Sequence, residues 1–293
     1  MLTKPRTAIT PQFRTIDGLS IRYAESEDPR TGEHALLLSP WPESLYAFEA
    51  TWPRLAEHAR LVAVDLPGFG RSEHRDELMR PRAMGGFVSR LADVFGLEQP
   101  HVVGPDVGTG ASLFAAALNP GRFRSLVVGS GGAAYPLQLG GVLMEWIEAP
   151  DLEPYRRAGG REIVGAAIAT LERYTPSAEA REDYLASYEG DRFAESMAYV
   201  RAYPTDVPAL GKLLPDIRTP VLVIGGRRDD VVPPVNAEYL HERLPVSRLS
   251  FVDTGHFTWE DAADEYASLV TDWWSGGYAA LAPVARAAPV AGE

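Results

Sequence analysis

The sequence predicts an α/β fold, with helices on both faces of a mostly parallel central sheet. Short apolar runs bounded by turn residues recur along the chain, and such continuous runs are typical of strands buried on both faces of a parallel sheet. Helix-forming stretches lie between these runs, and this alternation favours one layer of strands between two layers of helices. The strand candidates are residues 34–40, 60–68, 101–106, 124–130, 220–226 and 247–253, and the helix candidates are 51–59, 84–96, 108–118, 236–243 and 261–274.

One long stretch, residues 135–215, contains no comparable strand candidate. Glu, Arg, Ala and Tyr recur there in helix-forming patterns interrupted by Pro and Gly. We therefore expect a helical lid inserted between two parts of one core, residues 1–134 and 216–275. Residues 276–293 are rich in Ala, Pro and Gly without periodicity, which predicts a flexible tail.

Composition narrows the classes of partner. The chain has 293 residues, 40 acidic against 28 basic, and its Lys and Arg residues are scattered, so we expect no nucleic-acid partner. The lack of cysteine excludes thiolate nucleophiles and Cys-type zinc sites. The first residues lack the apolar segment of a secretory signal, and no apolar run is long enough to span a membrane. These features favour a cytoplasmic protein without membrane contact and leave its oligomeric state open.

The turn GPDVGTG carries the first candidate catalytic residue. Small residues at Gly104 and Gly108 around a central side chain form the pattern of a nucleophile elbow, a sharp turn from a strand into a helix. The usual serine is replaced here by Asp106. The N–H groups and dipole of the following helix should keep this carboxylate ionised. The alternative is that Asp106 only caps the helix.

Two residues that follow later strand candidates favour the catalytic interpretation. Asp229 follows the run at 220–226 and His256 follows the run at 247–253, in the order nucleophile, acid, histidine. The carboxyl ends of parallel strands form the ligand crevice of an open α/β sheet. The sequence thus predicts an Asp106–His256–Asp229 triad. Asp230 is the rival acid, and a core histidine or solvated turn residues are the simpler alternatives.

With these motifs the chain resembles the α/β-hydrolase superfamily, and within it the branch of epoxide hydrolases and haloalkane dehalogenases that uses an aspartate nucleophile. The resemblance extends over residues 13–275. It implies the α/β-hydrolase fold, with no metal or other cofactor. The motifs that carry it are SPWPES, DLPGFGRSE, GPDVGTG, GGRRDDVVPP and DTGHFTWED.

The resemblance also implies a mechanism. Asp106 would attack an sp3 carbon to form an ester, and His256, oriented by Asp229, would activate water against that ester. The main-chain N–H groups of Trp41 and Val107 would form the oxyanion hole. The family's H-G-x-P motif appears here as SPWP, so its first two positions differ, and the second is a proline without an N–H.

Two substrate classes are separated by the residue after the nucleophile. Dehalogenases of this branch bind the halide with a Trp at that position and a second donor in the H-G-x-P loop. Val107 has no side-chain donor. We therefore predict an epoxide hydrolase that converts a small apolar epoxide to a vicinal diol. A haloalkane dehalogenase and a non-catalytic small-molecule binder are the alternatives.

Epoxide hydrolases use lid tyrosines to bind the epoxide oxygen. Tyr199 precedes Asp229 by 30 residues, near the family's spacing, and is the first candidate. Tyr155 is the second, with Trp146 as an alternative for that place. Each of them is equally suited to packing in the lid. The other tyrosines of the segment are Tyr174, Tyr184, Tyr188 and Tyr203.

Three further residues are candidates for the walls of the site. Trp41 and Trp146 are candidates to line an apolar pocket, and both are also suited to the core. Glu43, in WPES, is a candidate for orienting a water, with a solvated position as the alternative. The sequence does not indicate which epoxide is bound, or with what stereochemistry.

Overall fold

The computed structural model describes residues 8–279 and 281, and eight strands in that part of the chain form one sheet. The order across the sheet is β1-β2-β4-β3-β5-β6-β7-β8. Neighbours from β4 to β8 pair in parallel, whereas β2 is antiparallel to both of its neighbours. The strands are β1 (Gln12–Ile16), β2 (Leu19–Glu25), β3 (His34–Leu38), β4 (Arg60–Val64), β5 (His101–Pro105), β6 (Ser125–Gly129), β7 (Val221–Gly226) and β8 (Ser247–Val252).

The centre of the sheet is buried on both faces. Leu36, Leu37 and Leu38 of β3 point alternately to opposite faces, yet each is 0% exposed. This explains the uniformly apolar runs in the sequence, because neither face requires polar side chains. The predicted fold class is confirmed, as are the six strand candidates. Strands β1 and β2, at one side of the sheet, were not predicted.

The helices that flank the sheet are short. α2 packs along α3, and α1 packs against α13. Among the residues that the structure describes, no helix is both long and apolar enough to cross a membrane. The helices are α1 (Trp52–Ala56), α2 (Pro81–Val94), α3 (Val107–Leu118), α4 (Gly141–Glu148), α5 (Glu153–Ala158), α6 (Gly160–Ile168), α7 (Ala178–Ser187), α8 (Arg192–Ser196), α9 (Ala198–Arg201), α10 (Tyr203–Gly211), α11 (Val235–Arg243), α12 (Thr258–Asp261) and α13 (Ala263–Asp272).

Helices α4 to α10 all lie between β6 and β7. They occupy the stretch 135–215 that the sequence predicts to be helical, and we call this stretch the inserted segment. The predicted tail begins at residue 276. Most of it falls outside the described residues.

Ion pairs attach the inserted segment to the core. Arg22 of β2 donates two hydrogen bonds to Asp183 of α7, at 2.7 and 2.8 Å. Arg80, just before α2, pairs with Asp206 of α10 in the same two-pronged manner. Both aspartates are buried, but Arg80 is nearly half exposed, so of the two only the Arg22–Asp183 pair is buried on both sides, where loss of one partner costs about 3–5 kcal/mol. The segment is therefore fixed to the core through both α7 and α10.

Candidate active site

Asp106 lies in a strained turn between β5 and α3. Its φ of 51° and ψ of −122° are angles that residues with side chains rarely adopt. The turn is tight enough that a Cβ on Gly104 would lie 2.7 Å from the carbonyl oxygen of Gly108. The Asp106 N–H donates to the carbonyl of Gly129 at the end of β6, at 2.8 Å. The turn thus has the elbow geometry expected from the sequence.

The Asp106 carboxylate faces main-chain donors rather than capping the helix. It occupies the N-cap position of α3 but makes no side-chain capping hydrogen bond. Instead, Oδ2 accepts the N–H of Trp41 at 2.7 Å, and the neighbouring N–H of Val107 lowers the pKa of the carboxyl and so favours its charged form. These are the two predicted oxyanion donors. Ser and Pro replace the first two residues of the H-G-x-P motif before Trp41, and the Trp41 N–H still points at Asp106.

His256 and Asp229 complete a hydrogen-bonded constellation. The Nδ1 atom of His256 lies 2.9 Å from Oδ2 and 3.1 Å from Oδ1 of Asp229. The opposite ring nitrogen, Nε2, is 3.8 Å from Oδ1 of Asp106. Asp229 is held by the N–H groups of Val231 and Val232, at 3.0 and 2.7 Å, whereas Asp230 is exposed. The structure thus brings Asp106, His256 and Asp229 together and leaves Asp230 out.

Burial changes the electrostatics of the pair formed by Asp106 and His256. It raises the pKa of Asp106 from 3.8 to about 6, against the lowering effects of His256 and the N–H groups of Trp41 and Val107. We had expected the N-terminus of α3 to keep the pKa of Asp106 low. Burial outweighs that effect. Burial alone would lower the pKa of His256, but the negative charges of Asp229 and Asp106 outweigh it, so the pKa of His256 is raised.

A cavity of about 400 Å³ opens above Asp106 and His256. Both predicted pocket residues, Trp41 and Trp146, line it. The other polar groups on the wall come from the inserted segment, at Glu162, Thr170 and Tyr203. Among the described residues, no Lys or Arg lines this cavity. Its apolar wall includes Val142, Leu143, Ile163, Val200, Val231 and Val232.

The two predicted tyrosines do not reach the cavity. Tyr199 is fully buried, and its hydroxyl donates to the carbonyl of Val107 at 2.9 Å. Tyr155 lies outside the cavity, where its hydroxyl donates to Glu145 at 3.1 Å. Family spacing selected Tyr199 but could not determine which way its ring faces. We therefore leave both tyrosines out of the proposed chemistry.

Tyr203 lines the cavity and was not singled out from the sequence. It lies one helical turn after Tyr199, and the two rings are 6.2 Å apart. Within the described residues its hydroxyl has no hydrogen-bond partner. Burial and the charge of Asp106 raise the pKa of Tyr203 above its ordinary value, so the hydroxyl stays protonated. The only sequence signal was the repeat of Tyr at four-residue spacing in MAYVRAYP, which does not show which ring faces the site.

The indole of Trp41 is held in an aromatic cluster. Its ring stacks on Phe193 with centroids 5.1 Å apart and meets Trp146 edge-on at 5.2 Å. Its Nε1–H donates to the hydroxyl of Ser196 at 2.8 Å. The Trp41 side chain is consequently engaged, and Val107 has no side-chain donor to offer a halide.

Comparison with known proteins places the chain in a family. Residues 36–269 match the alpha/beta hydrolase family, and the chain belongs to it. A relative from Pseudomonas putida, 2-hydroxy-6-oxononadienedioate/2-hydroxy-6-oxononatrienedioate hydrolase 2, is 29% identical over 75% of this chain and 79% of its own. The structure of Cfl2 from Burkholderia cenocepacia is 23% identical with a TM-score of 0.78, covering 92% of this chain and 98% of Cfl2.

A similar fold occurs in the epoxide hydrolase CorEH, at 20% identity and a TM-score of 0.74, over 91% of this chain and 99% of CorEH. At that identity the likeness concerns the fold alone. The superfamily that the sequence predicted is confirmed. The narrower resemblance to the branch with an aspartate nucleophile stays a prediction, because the curated relative is named for a different class of substrate.

Proposed function

We propose that this α/β hydrolase is an epoxide hydrolase that converts an uncharged apolar epoxide to a vicinal diol through an ester on Asp106. The orientation of the Asp106 carboxylate carries the proposal. Oδ2 accepts the Trp41 N–H, and Oδ1 lies on the side of His256. Asp106 itself lines the cavity. A carboxylate that attacks an acyl carbon gives an anhydride, whereas attack on an sp3 carbon gives an ester that water can cleave.

In the first step, Oδ1 of Asp106 attacks an epoxide carbon, and the bond from that carbon to the epoxide oxygen breaks. The Tyr203 hydroxyl donates its proton to that oxygen, so the alkoxide leaves as an alcohol. Tyr203 lines the cavity together with Asp106, and its hydroxyl is protonated at neutral pH, so the donor is present. The inserted segment would act here as the lid that brings the donor to the nucleophile.

In the second step, Nε2 of His256 takes a proton from water, and the hydroxide adds to the ester carbonyl carbon. The negative charge then develops on Oδ2, where the N–H groups of Trp41 and Val107 stabilise it. The intermediate then collapses with cleavage of the bond from its central carbon to Oδ1. The proton of the new carboxylic acid passes to the leaving alkoxide, which releases the diol and restores the Asp106 carboxylate. The proton on His256 returns to the tyrosinate of Tyr203. Asp229 stabilises the imidazolium in the interval.

The charge of the cavity limits its substrates. Its ionisable wall residues are the acids Asp106 and Glu162 together with His256 and Tyr203, and it has no Lys or Arg within the described part of the chain. A carboxylate on the substrate would meet negative charge in a low-dielectric cavity. The Pseudomonas putida relative is named for a dioate, which is a doubly acidic compound. We therefore expect a preference for neutral epoxides.

Single turnover in oxygen-18 water, with enzyme in excess over an aryl or alkyl epoxide, tests the proposal. The label should enter Asp106, and the first diol formed should carry an unlabelled oxygen from the carboxylate. Peptide mapping measures the label in Asp106, and mass spectrometry of the diol measures the label in the product. Label that enters the first diol directly would contradict the ester route.

Replacement of Tyr203 by Phe should slow epoxide opening by about 10²–10⁴-fold, the usual contribution of a general acid. The reason is that the leaving alkoxide would lose its proton donor while Asp106 is untouched. Stopped-flow measurement of ester formation gives the rate. Tyr155→Phe is the matched control and should react as the wild type. A wild-type rate in Tyr203→Phe would remove this hydroxyl from the mechanism.

The two steps should depend differently on pH. Asp106 must be ionised to attack, so kcat/KM should fall as pH drops through about 6, the raised pKa of its carboxyl. His256 must be neutral to accept a proton from water. Against the lowering effect of burial, Asp229 and Asp106 raise its pKa in the free enzyme, and Asp229 still acts on it in the ester. Hydrolysis of the ester should therefore fail at a higher pH than its formation. Mass spectrometry of samples quenched at mildly acidic pH should show the ester, and an ester absent throughout the range would contradict this order.

A haloalkane dehalogenase is the second candidate, and Trp146 is the observation in its favour. Its indole ring lines the cavity and is the remaining ring of the Trp41 cluster that has an N–H to offer a halide. One such donor is half of the usual clamp. Halide release from haloalkanes, measured for wild type and Trp146→Phe, separates the candidates. If neither epoxides nor haloalkanes turn over, the non-catalytic binder becomes the better interpretation.

A further inference from the structure

Two buried carboxyl groups lie next to the active site without lining its cavity. Glu43 is 0% exposed and Glu260 is 3% exposed, and their carboxyl groups are within hydrogen-bonding reach of each other. Glu43 follows Trp41 by two residues, in the loop that carries an oxyanion donor. Glu260 follows His256 by four residues. The pair therefore joins the loops that hold two parts of the proposed machinery.

The hydrogen bonds around the two groups leave one oxygen of each without a donor. Oε1 of Glu43 accepts the indole N–H of Trp259 at 3.2 Å, and Oε1 of Glu260 accepts the hydroxyl of Tyr184 at 2.9 Å. Both Oε2 atoms are buried and unpartnered within the described residues. A proton placed between the two carboxyl groups satisfies both atoms at once.

The surroundings of the pair are negative or neutral. Besides Trp259, its main charged and polar neighbours are the carboxylates of Asp106, Glu49 and Asp261 and the hydroxyls of Tyr174 and Tyr184. Within the described part of the chain, no Lys, Arg or His forms a salt bridge with either glutamate. Two like charges in contact in a buried site cannot both persist without a cation. The pair must hold at least one proton.

We propose that Glu43 and Glu260 share a proton, and that this acid pair is a positioning element that holds the oxyanion loop against the histidine loop. As a statement about turnover, it rests on the proposed function. Neither glutamate touches the substrate. Their effect passes through Trp41 on one side and through Trp259, whose ring packs edge-on to His256 with centroids 5.8 Å apart, on the other.

Contacts with the inserted segment reinforce this arrangement. Tyr184 of α7 binds Glu260, and the hydroxyl of Tyr188 donates to the main-chain carbonyl of Glu43 at 3.0 Å. The acid pair is thus the meeting point of three elements: the oxyanion loop, the histidine loop and the inserted segment. Loss of the shared proton would replace the central hydrogen bond of this arrangement by repulsion between two carboxylates.

The pair should therefore limit activity at alkaline pH. Burial raises the pKa of Glu43 well above its ordinary value and that of Glu260 to about 7. As the pH rises past the loss of the last shared proton, the two loops should separate and kcat should fall. We call this fall of kcat at high pH the alkaline limb. Asp106 and His256 do not produce it, because they limit activity on the acid side. Tyr203 does not produce it either, because its raised pKa keeps the hydroxyl protonated there.

Glu43→Gln and Glu260→Gln test the proposal in the whole protein. A glutamine amide donates to the remaining carboxylate and does not titrate, so the alkaline limb of kcat should move up by at least one pH unit in both variants. Glu265→Gln is the matched control, because Glu265 is an exposed acid five residues after Glu260 and outside the pair, and it should keep the wild-type limb. Circular dichroism establishes that each variant folds.

Two measurements without substrate separate this proposal from the proposed function. At mildly alkaline pH, the infrared band of a protonated carboxyl should be present in wild type and absent from both glutamine variants. The proton resonance of His256 Nδ1–H should change with pH along the same limb in wild type only. If these signals behave as expected while no epoxide turns over, the acid pair stands and the proposed function fails.

Other outcomes overturn the proposal. An alkaline limb that stays at the wild-type pH in both folded glutamine variants would remove the shared proton from control of the site, as would an infrared band that is unchanged. A fall in kcat of more than 100-fold in Glu43→Gln, with accumulation of the ester, would make Glu43 a group that acts on the hydrolytic water. That result would replace positioning by direct chemistry.

Discussion

Asp106→Asn should abolish epoxide turnover, with kcat reduced by about 10⁴–10⁶-fold, the range seen when a catalytic nucleophile is removed. The amide nitrogen is not a competent nucleophile, and among the described residues Glu162 is the only other carboxylate that lines the cavity. The N–H groups of Trp41 and Val107 would still bind the amide oxygen, so the fold should be preserved. Steady-state diol formation is the measurement.

Asp230→Asn is the matched control for this substitution. Asp230 is an exposed aspartate beside Asp229, and its loss should leave kcat unchanged. Asp106→Ala should be as inactive as Asp106→Asn, which guards against slow hydrolysis of asparagine back to aspartate. If Asp106→Asn kept activity within tenfold of wild type, the nucleophile would have to be sought elsewhere.

His256→Gln should separate the two chemical steps. Asp106 can still attack the epoxide, but nothing then activates water, so turnover should stop after about one equivalent of substrate and kcat should fall by roughly 10³–10⁴-fold. Intact-protein mass spectrometry should show an increase equal to the mass of one epoxide. Peptide mapping should place the adduct on Asp106.

The second substitution also has a matched control. His241 lies on α11 and binds Ser247, away from the cavity, so His241→Gln should turn over as the wild type does. A loss of turnover in His256→Gln without an adduct would assign His256 to the first step instead. An adduct formed while diol release stays fast would show that another base activates the water.

The central strands could be predicted because they have one simple cause. Burial on both faces demands apolar side chains at every position, and the runs around Leu36, Val103 and Val223 meet that demand. The residues of the constellation follow from the same cause, since parallel strands bring their carboxyl ends to one edge. Asp106, Asp229 and His256 each follow such a strand, so their proximity could be predicted from the order of strands and residues along the chain.

Other features depend on packing between distant segments. Tyr199 and Tyr203 have the same residue type one turn apart, and only the docking of the inserted segment turns one toward Val107 and the other toward the cavity. Glu43 and Glu260 lie in motifs that the sequence displays separately. Their contact, and the shift that burial gives the pKa of Asp106, require the assembled core. The antiparallel strands β1 and β2 lack the uniform apolar pattern and were missed for that reason.

The hydrogen bond from the Trp41 N–H to one oxygen of Asp106 makes the two carboxylate oxygens different in fate. In the proposed cycle the bound oxygen, Oδ2, never leaves the protein, whereas the other oxygen departs in each diol and is replaced from water. After its first turnover, every enzyme molecule would work with one carboxylate oxygen that was present when the chain was synthesised and one that came from the solvent. The nucleophilic oxygen would thus be replaced once per catalytic cycle, while the rest of the Asp106 side chain stays in place.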